Sequence, residues 1–290
     1  MQNKERLQEK VRLFQENEIT EYNIYKSLAK SVKSEKNSEI LNQIAEDELK
    51  HYNDWKEYSK EEIKPNRLKI WFFYWISRIF GITFGIKLME RGEESAQENY
   101  AEFKGVVDEV DAIIEDENDH EDKLIELLDE RHLKYVGSIV LGLNDALVEL
   151  TGALAGLTLA LQNTQLIALS GMITGIAAAL SMGASEYLST KEEETARHPV
   201  FASIYTGGTY IVTVFILILP YLLFSNYYVC LALTLLLAVA VIGIFNYYIS
   251  VVKDEGFKHR FLEMTALSIS IALLSFLIGY FIRQFMGVEI

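Results

Sequence analysis

The sequence is poor in cysteine and in basic residues. Its single cysteine, Cys230, excludes a disulfide within the chain and a Cys-x-x-Cys site of the rubredoxin type. The net charge of −14 argues against nucleic-acid binding and is compatible with cation binding. Because residues 1–10 are charged and polar, no signal peptide is predicted, and we expect the N-terminal region to stay in the cytosol.

The charge is unevenly distributed along the 290 residues. Residues 1–136 carry 31 of the 41 acidic and 21 of the 27 basic side chains. The remainder carries only 10 acids and 6 bases and is too apolar to be soluble. The chain is long enough for two domains, so we predict an acidic cytosolic domain over 1–134 and a membrane domain over 135–290.

Two helical motifs recur in the acidic region. Glu48-Leu-Lys-His51 and Glu117-Asn-Asp-His120 both read Glu-x-x-His, and residues three apart share one face of a helix. Each motif follows a helical stretch with a glutamate and, seven residues on, a tyrosine: Glu18 with Tyr25, and Glu93 with Tyr100. Glutamates on an apolar stripe must be paired or bind a metal. Two Glu-x-x-His helices and two single-glutamate helices are typical of a di-iron four-helix bundle.

These motifs resemble the rubrerythrin branch of the ferritin-like superfamily over about residues 10–132. In the third of these four helices, here predicted helix three, Glu93 is preferred because its spacing to Tyr100 repeats that of Glu18 to Tyr25, and Glu90 and Glu94 are the alternatives. The rubredoxin domain of rubrerythrin has no counterpart here. The resemblance implies the metal ligands Glu18, Glu48, His51, Glu93, Glu117 and His120.

Residues 68–89 are aromatic and apolar, and they are long enough to span a bilayer. Lys69, Arg78 and Lys87 argue against a span, because Arg78 would lie near the middle of the hydrocarbon. A span here would also divide the metal site between the two sides of the membrane. We therefore predict an amphipathic helix that lies in the membrane interface.

Five apolar segments follow, and each reaches the roughly 20 residues that cross a bilayer. Basic residues follow the second and fourth segments, so the positive-inside rule places those loops in the cytosol and the C-terminus outside. The expected architecture is all-α, a ferritin-like bundle followed by five spans. The predicted segments are 136–161, 166–188, 202–224, 227–252 and 262–285.

Two of these segments contain residues that suit an ion path. Asp145 and Glu149 are four apart in the first, and carboxylates within hydrocarbon are costly unless they face a pathway or a partner. Met182 and Glu186 are four apart in the second, and a thioether beside a carboxylate suits a borderline ion such as Fe²⁺. The structural alternatives are packing for Met182 and an interfacial cap for Glu186.

The stretches Leu141–Asp145 and Ser181–Ser189 resemble the two signature motifs of the vacuolar iron transporter family. The family consists of five-helix dimers that move Fe²⁺, often also Mn²⁺, out of the cytosol in exchange for protons. The resemblance implies that Asp145 and Met182 line the ion path, with Glu149 and Glu186 nearby. Ala146 replaces the usual glycine, and the loop 190–200 lacks the helical metal-binding domain of plant members. The arrangement resembles the membrane-bound ferritin subfamily of prokaryotes, which implies a prokaryotic cell membrane.

The functional expectation is an Fe²⁺ exporter, homodimeric and coupled to protons, whose N-terminal domain captures iron. The alternative is a membrane-tethered di-iron oxidase or peroxidase, a ferroxidase cycling Fe²⁺ and Fe³⁺, with the membrane domain as an anchor or a conduit. A third hypothesis makes the N-terminal domain a sensor that gates transport. Mn²⁺ suits the same oxygen and nitrogen donors, so the sequence leaves the choice between the two metals open.

Overall fold

A computed structural model describes residues 2–100, 103, 109–126, 134–193 and 197–286, and the side chains of 2–5, 93–100, 118, 121–122, 124–126 and 286 lie outside the description. The described residues form ten helices and no strand, which confirms the all-helical expectation. Contacts between Cα atoms divide the chain into Met1–Glu130, here the N-terminal unit, and Arg131–Ile290, here the membrane unit.

The N-terminal unit is built around an extensive contact between its first two helices. Ser34 begins α2 by accepting a hydrogen bond from the backbone amide of Asn37, and Lys60 ends it in the left-handed region. Helix α5 contacts both α2 and α4. That these helices form a ferritin-like bundle stays a prediction. The helices are α1 (Gln2–Ala29), α2 (Glu35–Ser59), α3 (Arg67–Phe80), α4 (Ile82–Tyr100) and α5 (Val110–Glu126).

The stretch predicted as one amphipathic helix over 68–89 is two helices in the structure. They meet at Gly81, whose φ of 100° and ψ of 151° suit glycine and disfavour residues with a Cβ. Asn66 begins α3 by accepting hydrogen bonds from the amides of Leu68 and Lys69. The break separates an aromatic helix, α3, from α4, which carries the glutamates of predicted helix three.

The membrane unit consists of five helices that are long and apolar enough to cross a bilayer, which confirms the number of spans predicted. The chain is therefore an integral membrane protein. Asn163 and Asn226 cap two of these helices, because each side chain accepts hydrogen bonds from the backbone amides of the second and third helical residues. The helices are α6 (Val136–Leu161), α7 (Thr164–Glu192), α8 (Pro199–Leu223), α9 (Tyr227–Lys253) and α10 (Phe257–Met286).

Small residues let the membrane helices approach closely inside a single chain. A Cβ on Gly279 of α10 would lie 2.4 Å from the carbonyl oxygen of Gly156 on α6, so any larger residue would force the two helices apart. A Cβ on Gly152, one turn before Gly156, would lie 3.0 Å from the Ile271 side chain and 3.1 Å from Ser275 Oγ. The Gly-x3-Gly pair of α6 therefore serves the packing of α6 on α10.

Candidate metal centre

Three helices of the N-terminal unit bring four ligand side chains to one point. Glu18 from α1, Glu48 and His51 from α2, and Glu117 from α5 each offer an atom, and these atoms all lie within 4.8 Å of one another. Glu48 and His51 share a face of α2 because they are three residues apart. All but Glu117 are fully buried, and Glu117 is 10% exposed. This cluster could hold a metal ion.

Both motif glutamates lie between the two imidazole rings. The Nδ1 atom of His51 is 3.6 Å from Glu48 Oε2 and 3.5 Å from Glu117 Oε1. The Nδ1 atom of His120 is 3.3 Å from Glu48 Oε1 and 3.8 Å from Glu117 Oε2. The ring centroids are 6.0 Å apart. Each carboxylate thus presents one oxygen to each imidazole, so both glutamates could serve as metal ligands beside either ring.

The far side of each ring is held by an aspartate that the sequence analysis missed. His51 Nε2 is 3.1 Å from Asp116 Oδ2, and His120 Nε2 is 3.1 Å from Asp47 Oδ2. A carboxylate on the second nitrogen fixes the tautomer and the direction of a metal-binding histidine. The pairing is crosswise, since each aspartate directly precedes the glutamate of the other histidine's motif. The signal was present in the sequence as the pattern Asp-Glu-x-x-His, which occurs twice.

The two predicted single-glutamate ligands, Glu18 on α1 and Glu93 on α4, differ in what the structure describes, because only Glu18 has a described side chain. Glu18 Oε2 lies 3.9 Å from His51 Nδ1, and its other oxygen accepts a hydrogen bond of 3.2 Å from the Trp55 indole. Glu90 on α4 is half-buried. The side chains of Glu93 and Glu94 lie outside the described residues. The choice of ligand in helix three therefore stays a prediction.

The cluster shifts the protonation of its members in opposite directions. Burial works against a charged imidazole, but the carboxylates of Glu117 and Glu48 outweigh it and raise the pKa of His51 to about 11. The same causes raise the pKa of His120 to about 10. Burial also opposes ionisation of Glu48, yet the two imidazoles lower its pKa to about 2. Burial and the charges of Glu48 and Glu117 raise the pKa of Glu18.

The buried donor atoms of the cluster fit a metal ion. Within the described part of the chain, Glu48 Oε2, His51 Nδ1 and His120 Nδ1 are shielded from solvent and make no hydrogen bond. Leaving such an atom unsatisfied costs about 1–3 kcal/mol, so a cluster of them requires compensation. Neutral imidazole nitrogens and carboxylate oxygens directed at one space supply it when they coordinate a cation.

In the membrane unit, the carboxylates of α6 lie on the outer side of the helix. Glu149 is exposed and Asp145 is half-buried within the unit. The hydroxyl of Tyr210, a fully buried residue of α8, donates a 2.8 Å hydrogen bond to Glu149 Oε2. This bond fixes one side of Glu149 and leaves the carboxylate accessible from outside the unit.

The two predicted residues of α7 have different surroundings. Met182 is partly buried and packs against the main apolar core of the membrane unit. Glu186 is buried, accepts a 2.6 Å hydrogen bond from Ser138 Oγ, and lies 3.6 Å from Nη1 of Arg197. Ser138 in turn is tied to α8, because Thr206 donates to its carbonyl oxygen at 3.0 Å. Glu186 therefore links three segments of the unit.

Comparison with known proteins supports part of this picture. No curated protein matches the chain. The family model described as the VIT family matches residues 136–198, which cover α6, α7 and the loop after them. The matched range includes all four predicted path residues, Asp145, Glu149, Met182 and Glu186. With five membrane-spanning helices, the match relates the membrane unit to the vacuolar iron transporter family and supports transmembrane transport of a metal ion.

Proposed function

We propose that this protein exports Fe²⁺ from the cytosol in exchange for protons, and that its N-terminal unit captures the metal before transport. The observation that carries the proposal is the joint presence, in one chain, of a buried carboxylate and imidazole cluster and a membrane unit that matches a metal-transporter family. The donor chemistry supports iron, and Mn²⁺ is the second candidate cargo because it accepts the same oxygen and nitrogen ligands.

The N-terminal unit would hold two metal ions. His51 and Glu18 would be ligands of one ion and His120 a ligand of the other. Glu48 and Glu117 would be shared by both. Glu93, with Glu90 and Glu94 as alternatives, would complete the second site. A bound iron pair would supply one-electron redox chemistry. The chain itself buries Glu18, Glu48 and His51, and the carboxylates of Asp116 and Asp47 hold the rings of His51 and His120.

In the membrane unit, Asp145 and Glu149 would form the central part of the path, with Met182 and Glu186 along it. A carboxylate in hydrocarbon surroundings takes up a cation or a proton, so alternation between the two provides the exchange. The basic loops after α7 and α9 support a cytosolic location for these loops and for the N-terminal unit. The outward position of Glu149 in a single chain supports a homodimer in which a second copy closes the path.

The test is metal flux into proteoliposomes that hold a trapped pH dye, with Fe²⁺ added outside to full-length protein. Proton exchange predicts metal entry together with a rise in lumenal pH. The variant Asp145→Asn should lose most of the flux. The control Glu263→Gln removes the same charge from an exposed position of α10 and should retain it. Full flux in Asp145→Asn would refute the assigned path.

A membrane-tethered iron oxidase is the second candidate function. It is favoured by the two glutamates that each face both imidazoles, since such a cluster would bring two redox-active ions together. Mixing Fe²⁺-loaded protein with O₂ in a stopped-flow instrument should then produce ferric absorbance that Glu48→Gln abolishes. Oxidation of Fe²⁺ without metal flux would establish the oxidase function. Metal flux without oxidation would exclude the oxidase and support the exporter.

A further inference from the structure

Helix α3 presents an apolar face that the described part of the N-terminal unit does not cover. Its inner residues Ile70, Phe73 and Tyr74 pack against the core formed by α1 and α2. The outer side chains recur every three or four residues and form one continuous stripe. Leu68 is 80% exposed, Trp71 63% and Ile79 69%, and the stripe, here the α3 face, consists of Leu68, Trp71, Phe72, Trp75 and Ile79.

The charge around the α3 face is opposite to that of the rest of the unit. From residue 63 to residue 89 the sequence has five basic residues and no acid. The other residues of 1–136 include 31 acids against 16 bases. Arg67, Lys69 and Arg78 of α3 itself are exposed. An aromatic stripe flanked only by positive charges is complementary to an anionic lipid surface.

We propose that the α3 face docks on the anionic surface of the lipid bilayer and partly inserts its two tryptophans. The inference is independent of the proposed transport, since it requires only an integral membrane protein. Because the five membrane-spanning helices belong to the same chain, α3 is tethered to the bilayer. The effective concentration of lipid is therefore high, and the α3 face needs only a low intrinsic affinity for it. Tryptophan is enriched at this depth because its ring is apolar and its N–H is polar.

A second copy of α3 is a poorer partner for this face. Symmetric pairing of two α3 helices would bring Arg67, Lys69 and Arg78 of one copy next to the same residues of the other, and like charges repel. A lipid headgroup supplies the opposite charge, and the acyl region accepts the apolar side chains. The composition of the face therefore selects the bilayer over self-association.

The distribution of tryptophan provides a direct test in the full-length protein. The chain has three tryptophans, and none lies in the membrane unit. Trp71 and Trp75 are on the α3 face, whereas Trp55 is fully buried in the N-terminal unit. Tryptophan emission is measured in proteoliposomes of phosphatidylcholine and phosphatidylglycerol, with normal or brominated acyl chains. The double variant Trp71→Phe/Trp75→Phe keeps only Trp55 and serves as the matched control.

Docking predicts that brominated lipid lowers the emission by roughly half, because two of the three rings would lie at the interface. The control variant should keep nearly all of its emission. Equal loss in both proteins, or no loss in either, would overturn the proposal. If brominated lipid does not quench the two tryptophans but acrylamide does, the α3 face lies in water. If neither quencher lowers their emission, the face lies against protein. Either result would also overturn the proposal.

Charge complementarity is tested by replacing phosphatidylglycerol with phosphatidylcholine. Quenching should then decrease, because the attraction between the basic residues and the headgroups is lost. Raising the salt concentration should have the same direction of effect. Quenching that is identical in neutral and anionic bilayers would refute the electrostatic part of the docking.

Discussion

The acidic side chains of the two units are arranged in opposite ways. In the N-terminal unit, Glu48 and Glu117 lie between two imidazoles and converge with Glu18 on one buried space. In the membrane unit, Glu149 and Glu186 lie on different helices, and each accepts a hydrogen bond from one hydroxyl group. The N-terminal unit brings its acidic side chains together at one point, whereas the membrane unit keeps its acidic side chains apart.

The difference corresponds to the difference between holding and passing an ion. Several charged ligands at one buried point bind a cation tightly and release it slowly. A path across a membrane must bind an ion well enough to admit it and weakly enough to let it leave, which favours separate sites with few ligands each. The comparison fits the proposed division, in which the N-terminal unit captures the metal and the membrane unit passes it on, and the following predictions test that division.

The largest effect is expected from Glu48, whose carboxylate lies between the two imidazoles. Glu48→Gln removes the charge that both imidazoles face and should weaken Mn²⁺ binding more than about 100-fold, since loss of outer partners alone costs 10–100-fold. Competition with a fluorescent chelator on full-length protein measures it. Glu57→Gln, an exposed change on the same helix, should bind like wild type. Binding of Glu48→Gln within threefold of wild type would contradict the site.

The next largest effect is on pH dependence. The raised pKa values of His51 and His120, about 11 and 10, mean that both rings are protonated at pH 7 without metal. Metal binding should therefore release about two protons per chain from the two rings, and this release alone should increase Mn²⁺ affinity with pH by up to about a hundredfold per unit. A pH indicator in weakly buffered solution counts the protons. Metal uptake with no proton release would contradict the protonated state.

The same shifts determine how the metal-free form depends on pH. Both histidine pKa values lie above their unfolded value of about 6.5, so protonation stabilises the fold fully below that pH. The stabilisation is lost as pH rises through about 10 to 11. Metal-free protein should thus unfold at a lower temperature at high pH, and bound Mn²⁺ should oppose the loss.

A smaller effect is expected from the crosswise aspartates. Asp47→Asn should disturb His120, and Asp116→Asn should disturb His51, because each carboxylate accepts from the ring of the other motif. Each change should weaken Mn²⁺ binding about 10–100-fold. The control Asp119→Asn, on an exposed side chain next to His120, should have little effect. If both Asp47→Asn and Asp116→Asn bind Mn²⁺ as tightly as wild type, the two aspartates do not position the histidines for metal binding.

The smallest effect belongs to the membrane unit. Ser138→Ala removes the hydrogen bond to Glu186 and should lower the free energy of unfolding by about 1–2 kcal/mol. Ser181→Ala, an exposed change on α7, should leave it unchanged. Thermal unfolding in detergent compares the two. Equal unfolding temperatures of the two variants would show that the hydrogen bond from Ser138 to Glu186 does not stabilise the unit. The membrane unit would then depend even less than the N-terminal unit on the partners of its carboxylates.

Much of the fold could be predicted because it depends on local patterns. Apolar runs of about 20 residues identify spans, and the structure has five helices where five were predicted. The Glu-x-x-His spacing places Glu48 beside His51 on any helix. The break at Gly81 was not predicted, because the apolar pattern continues across it and only the backbone conformation reveals a turn.

The sequence by itself determined the all-helical class, the number of membrane-spanning helices and the candidate metal ligands, because helical periodicity and hydropathy act over short stretches of chain. Only the tertiary structure decided which carboxylate meets which imidazole and that Asp47 and Asp116 pair across the two motifs. These contacts join residues up to 73 positions apart. They depend on how helices pack, and no local pattern specifies that packing.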